Sequence, residues 1–244
     1  MAEPHDDRSL AELIHRSDYR PKSPEARDRL LALLTAAATS PDPETRCLAA
    51  FRLWFIKEAG APVERLIKAL ILDEDTRVRL KAATSAMRVS ERLSEELAPQ
   101  IVPILLESAR REEGLGRNHA IQWLGKFPRF ADAILPTLIE ALGSDDPRER
   151  YCASKSLKRF VAAAAPAAEA VRRAIERETG YWFHDDRCMD LRLVHAETLF
   201  EAIGDNTWSR AAAAERLEDA TASEGIRRGA RWLLERLDGP QQAS

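Results

Sequence analysis

The segment Glu178-Thr-Gly-Tyr181-Trp182-Phe183-His184-Asp185-Asp186-Arg187-Cys188 gathers the residue types that do chemistry. His184, Asp185, Asp186 and Cys188 are metal-ligand types. Adjacent Asp residues point in different directions, however, and no second cluster at ligand spacing completes a site. Cys188 four positions after His184 gives a thiol–imidazole spacing, but the chain has no Gly-x-Ser-x-Gly elbow and no P-loop. Neither a metal nor a cofactor is expected, and no catalytic residue is assigned. Three aromatics followed by His184 and Asp185 suit a different task, clamping a partner segment or stacking a base. They suit packing equally well, with Tyr181, Trp182 and Phe183 folded back to plug an irregular gap. Both readings stand.

A second candidate is electrostatic. Lys155, Lys158 and Arg159 fall on one predicted helix, and Arg172, Arg173 and Arg177 on the next. As a patch they would attract an acidic protein surface or a phosphate backbone. As a solvated face they would pair locally, Arg173 with Glu169 or Glu176. The whole chain carries 37 Lys and Arg against 40 Asp and Glu, a net charge of −3 with pI near 6.0. That balance argues against a dedicated polyanion binder.

These residues must be positioned by something, and a recurring phrase shows what. Asp42-Pro43-x-x-Arg46-x-x-Ala49-Ala50-x-x-Leu53 is followed by Asp75-x-x-Val78-Arg79-x-x-Ala82-Ala83-x-x-Ala86, then by Asp146-Pro147-x-x-Arg150-x-x-Ala153-Ser154-x-x-Leu157. Looser copies centre on Arg117, Arg192 and Arg227. Asp42, Asp75 and Asp146 stand where an N-cap belongs, and Pro43 and Pro147 occupy the first helical position. The Ala pair and the Leu share one face, where small side chains allow a neighbouring helix close. A second apolar helix follows each phrase, as in Val63–Ile71 and Ile134–Leu142. The arginine spacings are 33, 38, 33, 42 and 35 residues, the scatter of helix-pair repeats with variable loops. Ser9–Arg16 and Pro24–Ala38 read as a capping hairpin, Ser223–Leu237 as a closing helix. Trp54, Trp123 and Trp232 take apolar positions, so core packing is expected for all three.

The phrase Asp-x-x-Val-Arg-x-x-Ala-Ala-x-x-Leu resembles the first helix of a HEAT repeat, and residues 40–237 carry the resemblance. It implies an all-α fold, a right-handed α-α superhelix of six to seven hairpins and about thirteen helices. It also implies that the recurring Asp and Arg form a mainly structural ladder. Cys188 and Ser223 replace the Asp late in the chain and His195 stands where Ala belongs, so that ladder should weaken toward the C-terminus. Residues 1–40 would be the start and capping hairpin, 41–222 the repeats, and 223–244 the closing helix and tail.

The expected function is a non-catalytic scaffold or adaptor that binds another protein on the repeat surface. Tyr181, Trp182, Phe183, His184 and Asp185, or Lys155, Lys158, Arg159, Arg172 and Arg173, are the candidate contacts. The alternatives are a HEAT-like DNA-binding or DNA glycosylase protein, or a dedicated inhibitor, immunity or assembly factor for one enzyme. The polar N-terminus resembles no signal peptide, and no apolar run reaches the roughly 18 residues of a membrane span. Cys47, Cys152 and Cys188 are odd in number and far apart, which suits reduced thiols. A cytoplasmic protein, monomeric when alone, is therefore expected.

Overall fold

The computed structural model describes residues 7–17, 23–56, 60–111, 114–178, 182–184 and 187–239. At 7–9, 115, 162 and the strand residues 182–184 and 187–189 it describes the backbone alone. The chain divides into two compact units, the first running to Ile104 and the second beginning at Leu105.

The first unit holds α1 (Asp7–Arg16), α2 (Pro24–Ala37), α3 (Pro43–Leu53), α4 (Ala61–Leu70), α5 (Thr76–Val89), α6 (Glu91–Glu96) and the start of α7 (Ala98–Arg111). Within it α3 packs on α5 and on α2, while α4 lies against α3 and α5. The second unit takes up α7 and adds α8 (Leu115–Leu124), α9 (Ala131–Leu142), α10 (Pro147–Leu157), α11 (Ala168–Arg177), α12 (Leu191–Thr198), α13 (Asn206–Glu218) and α14 (Glu224–Asp238). There α10 packs between α8 and α12, α9 and α11 lie behind them, and α13 packs on α14. Among the described residues the fold is all-helical apart from one antiparallel hairpin, β1 (Trp182–His184) with β2 (Arg187–Met189).

The predicted caps form. Asp42 accepts from the Glu44 and Thr45 amides, Asp75 from Arg77 at 2.8 Å, and Asp146 from Arg148 at 2.8 Å. The Arg77 guanidinium and the Arg77 and Val78 amides hold the Asp75 carboxyl down at about 2. Asp75→Ala is expected to cost about 0.5–2 kcal/mol through the lost cap. A thermal melt that does not move would refute that role.

Four residues after its cap, each arginine closes its own loop. Arg46 donates to the carbonyls of Ser40 and Pro41, Arg79 to those of Asp73 and Glu74, and Arg150 to those of Ser144 and Asp145, all at 2.9–3.1 Å. The free edge of the guanidinium then reaches the next repeat. Arg46 takes Asp73 bidentately at 2.8 and 3.0 Å, and Arg150 takes Glu178 at 2.5 Å.

Of the weaker copies, Arg227 keeps the register, four after the Ser223 cap and donating to the Asp219 carbonyl at 3.0 Å, while the other two do not. In α8 the position four after the Gly114 cap is Asn118, which reaches Asp146 at 3.5 Å, while Arg117 pairs with Glu140 and Glu149. In α12 the cap is Asp190, accepting from the Leu193 amide, so Cys188 does not replace the Asp. Arg192 pairs outward with Glu215. The ladder does not fade toward the C-terminus either. It is rerouted: Arg216 on α13 pairs with the α12 cap Asp190 at 2.5 Å, both buried, and Arg172 on α11 takes the α13 cap Asp205 at 2.6 Å.

Small residues bring successive first helices close enough for hydroxyls to cross between them. Ser85 on α5 donates to the Ala50 carbonyl of α3 at 2.8 Å, and Ser156 on α10 donates to the Ile121 carbonyl of α8 at 2.9 Å. Both hydroxyls are buried, so these bonds meet a demand that burial would otherwise leave unmet. Gly125, just past α8, makes the second approach possible, since a Cβ there would stand 2.9 Å from the Ser156 Cα. Gly125→Ala is therefore expected to destabilise by about 1–3 kcal/mol through overpacking, read as a lower denaturation midpoint. An unchanged midpoint would show that α8 and α10 can part freely.

Candidate functional site

A buried polar cluster lies where α10, α11 and α12 meet. Ser154 replaces the second Ala of the pair on α10, and its Oγ is 2.5 Å from Nδ1 of His195 on α12. The His195 Nε2 faces Glu178 Oε1 at 3.5 Å, the outer limit of a hydrogen bond, so that contact is mainly electrostatic. Glu178, just past α11, receives Arg150 on its other side. Burial opposes its ionisation, yet His195 and the Arg150 guanidinium hold the carboxyl down at about 2. Burial likewise lowers the His195 pKa, against the pull of Glu178. The imidazole is therefore neutral near pH 7. A carboxylate opposite Nε2 favours the proton there, leaving Nδ1 to accept from Ser154.

A serine hydroxyl, an imidazole and a carboxylate are the parts of a nucleophile relay. Ser154 and His195, however, expose no surface, so no acyl donor reaches the Oγ. What the cluster does is join three helices. It replaces apolar packing at the two positions where small apolar residues were expected. The sequence signalled the substitutions, Ser154 and His195 in Ala positions, but not that they face each other.

Of the aromatic segment, Tyr181, Asp185 and Asp186 lie outside the described residues. Trp182, Phe183, His184 and Cys188 are placed by backbone only, in the hairpin whose register pairs Trp182 with Met189, Phe183 with Cys188 and His184 with Arg187. The residues bounding the insertion are both pinned, Glu178 by Arg150 and Asp190 by Arg216. Among the described residues no three His, Cys, Asp or Glu side chains gather as metal ligands. No helix among them is long and apolar enough to cross a membrane. Burial pushes the free Cys152 thiol up to about 11 and raises that of Cys47.

The basic candidates separate. Lys158 is bound by Glu197 and Glu201 of the α12 region, Arg172 by Asp205, and Arg173 by Glu169 one turn back. Lys155 and Arg159 remain exposed on α10 and its end. Carboxylates from later elements bind Lys158 and Arg172, and Arg173 pairs within its own helix. Trp232, expected in the core, is 44% exposed with Arg236 stacked on it at 4.8 Å.

In the first unit, α1, α3 and α5 border an open groove of about 400 Å³, lined by His15, Cys47, Leu48, Phe51 and Lys81 among others. Phe51 lies edge-on to Phe55 at 5.3 Å, with the Lys81 ammonium 5.7 Å from its centroid.

No protein-family model matches the chain, and no curated protein matches it. Solved structures do. One engineered protein of the Northeast Structural Genomics Consortium aligns with a TM-score of 0.63 at 16% identity over 96% of this chain. The chain spans 64% of that protein's length, less than two thirds. A second engineered protein gives 0.58 at 18% identity over 85% of this chain and 96% of its own, and a third gives 0.58 at 19% over 85% and 98%. At such identities the likeness concerns fold alone, and that fold is an all-helical repeat.

Proposed function

We propose that this chain is a non-catalytic scaffold of the HEAT-repeat kind, which binds another protein on its helical surface. One observation carries the reading. The serine–imidazole–carboxylate cluster, which has the parts of a reactive site, is sealed inside the helix stack and spent on joining α10, α11 and α12. Among the described residues the surface carries charges and half-exposed rings such as Phe51 and Trp232, the material of a docking face. Half-buried, protonated thiols at Cys47 and Cys152 fit a reducing compartment such as the cytoplasm.

The test is affinity capture from the native host with the full chain as bait. The expected result is one protein retained in stoichiometric amount and released by surface substitutions that leave the melt unchanged. Capture of nothing above background would overturn the reading. So would hydrolytic turnover that is abolished by Ser154→Ala in a protein that remains folded.

A further inference from the structure

We infer that the outer face of α14 pairs with the same face of a second copy of this chain, antiparallel and about a two-fold axis. α14 packs on α13 and α12 and buries Ile226, Ala230, Leu233 and Leu237. On its opposite side Arg228, Arg231, Trp232 and Glu235 are exposed. Trp232 stays 44% exposed although Arg236 stacks on it at 4.8 Å. A large ring left to water in the middle of a helix face is the material of a contact.

The charges of α14 say what covers it. Glu224 binds Arg231, Arg236 binds Glu201, Asp238 binds Arg210, and Arg227 turns back to the Asp219 carbonyl. Arg228 and Glu235 are the ionisable groups of the helix that remain, and neither forms an ion pair among the described residues. The neighbouring helices do not supply one. Arg192 is held by Glu215 and Arg216 by Asp190, while Glu218, exposed at the end of α13, pairs with neither.

Arg228 and Glu235 are two helical turns apart, about 10.5 Å at 1.5 Å per residue, so they share one side with Trp232 between them. That pattern is complementary to itself. Laid antiparallel on its copy, α14 sets Arg228 opposite the partner's Glu235 and Glu235 opposite the partner's Arg228. The same register puts Arg231 against the partner's Trp232. A parallel pairing opposes arginine to arginine and glutamate to glutamate, so charge selects the antiparallel one. One 15-residue helix buries less than a standard interface, and the dissociation constant expected is on the order of tens of micromolar. The monomer expected from the sequence therefore holds only below that concentration.

The inference stands or falls apart from the scaffold reading. The test is sedimentation of the full chain at low salt over a concentration series that spans the expected constant. The average mass should rise from 27.4 kDa toward twice that value, and less so as salt increases. Arg228→Glu and Glu235→Arg, each alone, oppose like charges and should weaken association about tenfold, with the melt of the dilute protein unchanged. Mixed together, the two variants should associate with each other, since every contact then joins opposite charges. Arg228→Glu/Glu235→Arg should regain self-association for the same reason, and Trp232→Ala should weaken it several-fold. A chain that stays monomeric at every concentration overturns the inference. So does a dimer indifferent to both reversals, or two reversed variants that fail to associate when mixed.

Discussion

Arg150→Ala is expected to be the most damaging single substitution at the α10–α12 junction, costing about 3–5 kcal/mol in chemical denaturation. The arginine has two tasks that one truncation removes together. Its Nη1 closes the loop before α10 through the Ser144 and Asp145 carbonyls, and its Nε neutralises Glu178. Glu178 is only 6% exposed, so without the guanidinium it becomes a buried charge with a neutral imidazole as its remaining neighbour. The orphaned carboxylate, more than the lost bonds, sets the magnitude. Arg150→Ala/Glu178→Gln should therefore be less destabilised than the sum of the two single variants, a coupling a double-mutant cycle reads directly. A single variant within about 1 kcal/mol of the parent would mean that Glu178 is not committed to this pair.

The same arginine shows where sequence was informative and where it was not. Its bonds to the Ser144 and Asp145 carbonyls lie within the loop just before its own helix, so the repeated phrase encodes them at fixed spacing. Its partner Glu178 is 28 residues further on, and the Asp73 partner of Arg46 is 27 residues on. Both sit beyond variable connections, and spacing cannot find them. Register failed where the local signal was missing. Gly114 caps α8 at φ of +60° without a side chain, so Arg117 stood out in place of Asn118. The hairpin inserted before α12 moved the cap to Asp190, two residues past Cys188. The basic cluster was legible only in its local pairing, Arg173 with Glu169. Its cations are neighbours in sequence, but Glu197, Glu201 and Asp205, which bind Lys158 and Arg172, arrive from later elements through packing.

Stability should also fall on acidification in two steps that can be assigned. Burial lowers the folded-state pKa of His195 below the unfolded value near 6.5, so below about 6.5 the unfolded chain binds more protons than the folded one and stability declines. Glu178 acts lower down. Its carboxyl titrates at about 2 when folded against an ordinary 4.5, so its contribution is complete above 4.5 and is lost as pH falls toward 2. That difference corresponds to about 3 kcal/mol at 1.36 kcal/mol per pH unit. The charges facing the imidazole are Glu178 at 3.5 Å, Arg150 behind it and Asp190 at the start of its own helix, itself held by Arg216. Asp75, whose carboxyl is also held down at about 2, contributes to the lower step, so the assignment needs variants. Denaturation midpoints across pH 3 to 8 should fall below pH 6.5 in the parent. His195→Asn should remove that upper decline, and Glu178→Gln should flatten the curve below 4.5. A parent equally stable at about pH 5.5 and 7.5 would mean that the imidazole is protonated in the core, and the neutral Ser154–His195 contact would have to be abandoned.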